Sequence, residues 1–134
     1  MRMIFVNLPV KDLDKAKAFF TAIGYTFNPQ FTDATAACMV ISEHIYSMLL
    51  TEEKFRGFSK KGIADTSKAN EVMTALALDS KEAVDRMVAA ALKAGGSEPR
   101  PPTDFGFMYG RSFTDLDGHI WEPFWMDPKH VQKQ

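Results

Sequence analysis

The feature that most constrains this chain is an internal duplication. Glu43-His44-Ile45-Tyr46-Ser47 aligns with Gly118-His119-Ile120-Trp121-Glu122. Further upstream, Phe5–Val10 followed by Lys11-Asp12 aligns with Met73–Leu78 followed by Asp79-Ser80. In each copy a strand pattern runs into an amphipathic helix that ends in glycine. A unit repeated in this way is one supersecondary motif used twice. Its order of strand, helix and three strands is a β-rich α+β pattern, not a βαβ alternation.

The elements follow from periodicity. Residues 2–10 alternate, with Ile4, Val6, Leu8 and Val10 on one face and Phe5, Asn7 and Pro9 on the other. Asp12 is a good N-cap, and Asp14 in the first turn suits the positive end of the helix dipole. Leu13, Ala16, Phe20 and Ile23 form the apolar stripe, and Gly24 closes the helix. Strands are expected over 25–31, 35–42 and 44–50, with breaks at Asp33 and at Ser42-Glu43. The stretch 51–70 is polar, with one helical turn near 51–57. A second strand pattern covers 71–79, and Ser80 caps a helix with the stripe Val84, Met87, Val88, Ala91 and Leu92, closed by Gly95-Gly96. Proline at 99, 101 and 102 points to an extended edge. Strands near 105–114 and 118–126 complete the unit. The expected organisation is a single domain over 1–134, with a first βαβββ half at 1–50, a connection at 51–70, a second half at 71–126 and a polar tail at 127–134.

Composition narrows the partners. Sixteen basic and seventeen acidic side chains leave a net charge of −1, so there is no electrostatic footprint for nucleic acid or an anionic membrane. No run approaches the ~20 apolar residues of a membrane span. The start has no small-residue cleavage site after its short apolar stretch and does not read as a signal peptide. The one cysteine, Cys38, lies in an apolar run and reads as core. These features make the cytoplasm the expected location.

The opening FVNLPVKDLDKAKAFFTAIGY resembles the first strand and helix of the glyoxalase/bleomycin-resistance/dioxygenase (vicinal oxygen chelate) superfamily. The stretch FTDLDGHIWE is similar to that superfamily's closing hairpin, in which an Asp-Pro-Asp-Gly-Asn turn leads to a Glu. Here Leu116 replaces the proline and His119 the asparagine. The resemblance implies two tandem βαβββ repeats whose curled mixed sheets enclose a cleft, within one chain or across a homodimer. It also implies a divalent ion held from four positions, which match Phe5, Met73, Ser47 and Glu122.

Of those four, only Glu122 is a plausible ligand, and a catalytic zinc or iron site needs about three. His119 is three residues from Glu122 and falls on the other face of a regular strand. His44, His119 and His130 read as turn and surface residues. Neither a metal nor another cofactor is therefore expected. Alternation puts Ile120, Glu122 and Phe124 on the concave face, with Ile45, Ser47 and Leu49 in the first half. Phe5, Asn7, Met73, Ala75 and Ala77 join them. If the turn at Asp115–Gly118 closes a two-residue hairpin, Tyr109, Arg111 and Phe113 share the face of Glu122; a three-residue loop would flip them. Arg111 and Glu122 then either pair across strands or meet a ligand. The expected ligand site is thus Phe5, Asn7, Ser47, Met73, Tyr109, Arg111, Phe113, Glu122 and Phe124, in a mainly apolar cleft for an unidentified small molecule. The alternative is a lactoylglutathione-lyase-like enzyme, or another lyase, isomerase or dioxygenase, with Glu122 as base or metal ligand. A dimerisation module with a collapsed cleft is a third reading.

Overall fold

Alternation along the first strand has a direct structural outcome. In the computed structural model of the protein, which describes residues 1–130, β1 (Ile4–Val10) buries Leu8 and Val10 and leaves Phe5 and Asn7 exposed on the opposite face. Asp12 caps α1 (Leu13–Ile23), its carboxylate accepting the Lys15 N–H at 3.1 Å, and Gly24 closes it at φ +115°. Leu13, Ala16 and Phe20 are buried as the stripe requires; Phe19 joins them, while Ile23 is only half-buried. The chain continues through β2 (Thr26–Phe27), β3 (Ala36–Ser42) and β4 (Ile45–Thr51). The four strands form one sheet in the order β1-β4-β3-β2, with β1 parallel to β4 and the other pairs antiparallel. The strand expected over 25–31 is cut short. Pro29 has no N–H for a ladder, and Asn28 instead accepts the Gln30 N–H and starts a 3-10 turn at Pro29–Phe31. A short helix, α2 (Glu52–Arg56), follows β4. These elements belong to one unit, Met1–Asp65; a second unit starts at Thr66.

The second unit repeats the order with β5 (Met73–Ala77), α3 (Lys81–Lys93), β6 (Thr103–Asp104), β7 (Met108–Gly110), β8 (Phe113–Thr114) and β9 (Ile120–Met126). Ser80 caps α3 by accepting the Ala83 N–H at 3.0 Å. Val84, Val88 and Ala91 are fully buried, whereas Leu92, expected in that stripe, is 40% exposed at the helix end. The sheet order is β5-β9-β7-β6, with β5 parallel to β9, and β8 also pairs with β9. β7 and β8 occupy one continuous register against β9 but are separated at Arg111-Ser112. The reason is Pro123, which lies opposite Arg111: it accepts the Arg111 N–H at 3.0 Å but cannot return a hydrogen bond. Together the two units form an α+β fold with two mixed sheets of four and five strands. Residues 131–134 of the expected polar tail lie outside the described residues.

The β8–β9 connection decides what β9 presents. Asp115 N–H bonds the His119 carbonyl at 3.0 Å and Gly118 N–H bonds the Asp115 carbonyl at 3.2 Å, which leaves a three-residue loop, Leu116-Asp117-Gly118. Gly118 takes φ +80°, the left-handed geometry such loops need in their last position. The Asp115 carboxylate is buried beneath the turn and accepts the N–H groups of Asp117 and His119 and the Trp121 indole N–H at 3.0 Å. Burial pushes this carboxyl up, against the pull of the His119 charge and these donors. Thr66 Oγ1 donates to the Asp117 carbonyl, and His119 Nδ1 lies 2.6 Å from Glu71 Oε1. His119 is therefore not a surface residue; it is 3% exposed. Below it Trp121 stacks on Phe113 at 6.5 Å between ring centroids, and both rings are fully buried.

A loop of three residues flips the expected pairing. Phe113 lies opposite Trp121 and Tyr109 opposite Trp125, so Tyr109, Arg111 and Phe113 are on the face away from Glu122. Phe113 is core. Tyr109 donates its hydroxyl to Asp85 of α3 at 2.7 Å. Arg111 donates to Asp85 at 2.9 Å and to both oxygens of Glu98 at 2.9 Å. These pairs tie α3 to the sheet and hold the Asp85 carboxyl below its ordinary range, the Tyr109 hydroxyl first and then Arg111. The Tyr109 hydroxyl is raised, mainly by the hydrogen bond to Asp85, and the Arg111 guanidinium by Glu98.

Two outcomes follow. A Cβ at Gly118 would come within 2.6 Å of Thr66 Oγ1 at a backbone angle that side chains rarely adopt, so Gly118→Ala is expected to cost about 1–3 kcal/mol. Urea unfolding measures the loss, which shrinks in the Gly118→Ala/Thr66→Ala double variant. Asp85, with its lowered pKa, stabilises the fold above the unfolded value of about 3.9, and that contribution disappears as pH falls through the lower folded value. Wild type is therefore more stable than Asp85→Asn at pH 7, and the gap narrows in melts at progressively lower pH below about 4. A gap that stays constant down to pH 2 contradicts this sign.

Candidate functional site

On the face of the second sheet away from α3 lies a cleft of about 190 Å³. Its floor comes from Ala75 of β5 and from Glu122 and Phe124 of β9, which lie in register: Ala75 opposite Glu122 and Ala77 opposite Phe124. Gly110 lies opposite Phe124 and Thr103 opposite Gly110, so β7 and β6 extend the same face, with Met108 beside them. No side chain at Gly110 fills the space over Phe124. A Cβ there would meet Phe124 Cβ at 3.6 Å and Met108 Cε at 3.9 Å, which is ordinary contact.

One ion pair gives this apolar surface its polarity. Arg100 Nη2 lies 2.9 Å from Glu122 Oε2, and Arg100 Nη1 donates to Thr103 Oγ1 at 3.0 Å. The two side chains are 44% and 24% exposed, so the pair itself adds little stability. It sets a positive edge beside a negative one on this face. No residue in the sequence reading pointed to Arg100. It sits in the Pro99–Pro102 run, where the prolines marked an edge. That edge, leading into β6 beside β7, was the available signal.

The other expected site residues fall into three places. Glu122 and Phe124 line the cleft, and Met73 lies on the same face one strand position beyond Ala75, 57% exposed. Arg111 borders the cleft but turns its guanidinium to Asp85 and Glu98, so the expected Arg111–Glu122 pair does not form. Tyr109 and Phe113 are on the helix side, as described above. In the first unit, Phe5 stacks on Tyr46 at 4.7 Å and shares its face with Asn7.

Ser47 does not join that face. β1 and β4 run parallel with Phe5 opposite Tyr46 and Asn7 opposite Met48, so Ser47 and Leu49 point with Val6 and Leu8 into the core. Ser47 is 1% exposed and donates to the Val6 carbonyl at 3.0 Å. The first half closes β3–β4 with two residues, Glu43-His44, and a register shift between Val40 and Ser42. The second half uses three. Aligning the halves by sequence therefore slips by one residue, and Met48, not Ser47, holds the position of Glu122 relative to its neighbouring strand.

These donors do not fit the divalent ion that the resemblance implies. Glu122 is the one carboxylate lining the cleft, and it already faces a guanidinium. Among the described residues no three His, Cys, Asp or Glu side chains converge. The thioether of Met48 is a poor donor for a hard or borderline cation.

Comparison with known proteins bears on the whole chain. Residues 2–42 match the family described as bleomycin resistance protein-like N-terminal. The structure of the hypothetical protein SA1046 from S. aureus is 31% identical, covers 93% of this chain and 94% of its own, and superposes with a TM-score of 0.78. A glyoxalase/bleomycin resistance protein/dioxygenase family enzyme from Burkholderia phytofirmans PsJN is 16% identical, with 94% and 99% coverage and a TM-score of 0.77. The fosfomycin resistance protein FosX from Listeria monocytogenes is 19% identical, with 100% and 95% coverage and a TM-score of 0.67. At these last two identities the likeness is one of fold. Comparison with curated proteins gave no match. With the repeat, the two mixed sheets and these likenesses in place, the chain belongs to the glyoxalase/bleomycin resistance protein/dioxygenase superfamily.

Proposed function

We propose that this protein binds a small molecule in the cleft of the second sheet. The observation that carries this reading is an apolar floor of Ala75, Met108 and Phe124 bordered by the Arg100–Glu122 pair. Small-molecule sites generally combine a mostly apolar concavity with a few oriented polar groups. Relatives of the same fold named for resistance to bleomycin and to fosfomycin are in keeping with it. A volume of about 190 Å³ suits a compact ligand.

A second reading has its own observation. Glu122 Oε2 is held by Arg100, while Oε1 has no partner among the described residues. A carboxylate fixed on one oxygen and open on the other is arranged to take a proton from a bound molecule. In that reading the protein is an enzyme and Glu122→Gln abolishes its turnover while leaving binding in place. The wider proposal is a single cytoplasmic domain spanning both units that pairs as a homodimer. Among the described residues no helix is long and apolar enough to cross a membrane.

The cleft itself can be tested without knowing the ligand. Gly110→Ala is expected to keep or raise stability, by up to about 1 kcal/mol, since alanine is favoured over glycine in a strand. Gly110→Leu fills the space over Phe124. A thermal-shift screen of small amphipathic molecules should yield compounds that raise the melting temperature of wild type; at a hundred times Kd this amounts to about 2.7 kcal/mol. The response weakens in Gly110→Ala and disappears in Gly110→Leu. No responding compound, or an unchanged response in Gly110→Leu, rejects the cleft as the site.

A further inference from the structure

Electrostatic balance at the cleft narrows the chemistry of what it takes. We infer that the cleft selects a zwitterion: a compact molecule carrying an ammonium and a carboxylate on one carbon, with a short apolar arm. This rests on the cleft reading above and goes beyond it by naming the ligand class.

Arg100 and Glu122 together carry no net formal charge, and their charged ends are fixed 2.9 Å apart. A guanidinium has five N–H groups, and here one is used by Glu122 and one by Thr103. Three remain to donate to an acceptor. Glu122 Oε1 remains to accept from a donor. A ligand anion would gain at Arg100 but face the Glu122 carboxylate close by, and a ligand cation would meet the reverse. Among charged ligands, a molecule with both charges, placed in the opposite order, satisfies both open edges without a like-charge neighbour. Each such bond is charge-assisted and so among the stronger kind.

The clamp is also held ready. Pro99, Pro101 and Pro102 surround Arg100, and the residue before a proline is confined to extended backbone. Thr103 accepts a second hydrogen bond from the guanidinium. Ordering these groups therefore costs little when the ligand arrives. Beneath the pair, Ala75, Phe124 and Met108 offer an apolar floor for the arm, and the absence of a side chain at Gly110 leaves room for a branched one.

Three matched probes decide this by calorimetric titration. Leucine carries both charges, 4-methylpentanoate is leucine without its ammonium, and 3-methylbutylamine is leucine without its carboxylate. Leucine is expected to bind wild type roughly tenfold or more tighter than either of the others, the value of one hydrogen bond to a charged group. Glu122→Gln leaves Arg100 uncompensated, and the ranking turns toward 4-methylpentanoate. Arg100→Gln leaves Glu122 uncompensated, and the ranking turns toward the amine. Equal or tighter binding of a single-charge probe to wild type overturns the inference, as does a ranking that neither variant alters. If leucine does not bind while uncharged compounds still bind in a Gly110→Leu-sensitive way, the zwitterion assignment fails and the cleft stands. If nothing binds, both fall.

Discussion

The hydrogen-bonded turn around Asp115 is the constraint on which the second unit depends. A buried carboxylate gathers two backbone N–H groups and the Trp121 indole, and Gly118 takes the left-handed angle that lets the chain return after three residues. The number three matters because side chains alternate along a strand. One residue fewer would exchange the two faces of β9 relative to β7 and β8. Phe113 would then share the face of Glu122 and no longer lie against Trp121. The turn, by setting parity, selects Trp121 and Phe113 as core and Glu122 and Phe124 as cleft.

Around that choice the charges sort themselves by side. On the helix side, Arg111 is engaged by Glu98 and Asp85, and Tyr109 adds its hydroxyl to Asp85. On the cleft side, Arg100 meets Glu122 above an apolar floor. The first set joins α3 to the sheet through Asp85. In the second, three Arg100 N–H groups and Glu122 Oε1 have no protein partner among the described residues.

Much of the fold was legible in the residues themselves. The caps at Asp12 and Ser80, the stripe of Leu13, Ala16 and Phe20, and the alternation in β1 and β5 are local patterns, and each formed as read. The duplication and the DLDGH turn carried the superfamily. The differences have two origins, turn length and a partner distant in sequence. Ser47 was paired with Glu122 because the halves look alike in sequence, but their turns differ by one residue, and Ser47 went into the core. Tyr109, Arg111 and Phe113 were placed by assuming a shorter hairpin. His119 was read as exposed because nothing near it in sequence announces Glu71, which lies 48 residues away.

By itself, the sequence determined the element order, the helix caps, the α+β class and Glu122 as the carboxylate of interest. Those follow from interactions within a few residues, where spacing and side-chain type suffice. Only the tertiary structure decided which neighbours Glu122 meets: Arg100 in place of Arg111 and, among the described residues, no second carboxylate lining the cleft. Strand register sums the lengths of turns and the interruptions made by prolines, and a change of one residue reverses every side chain that follows.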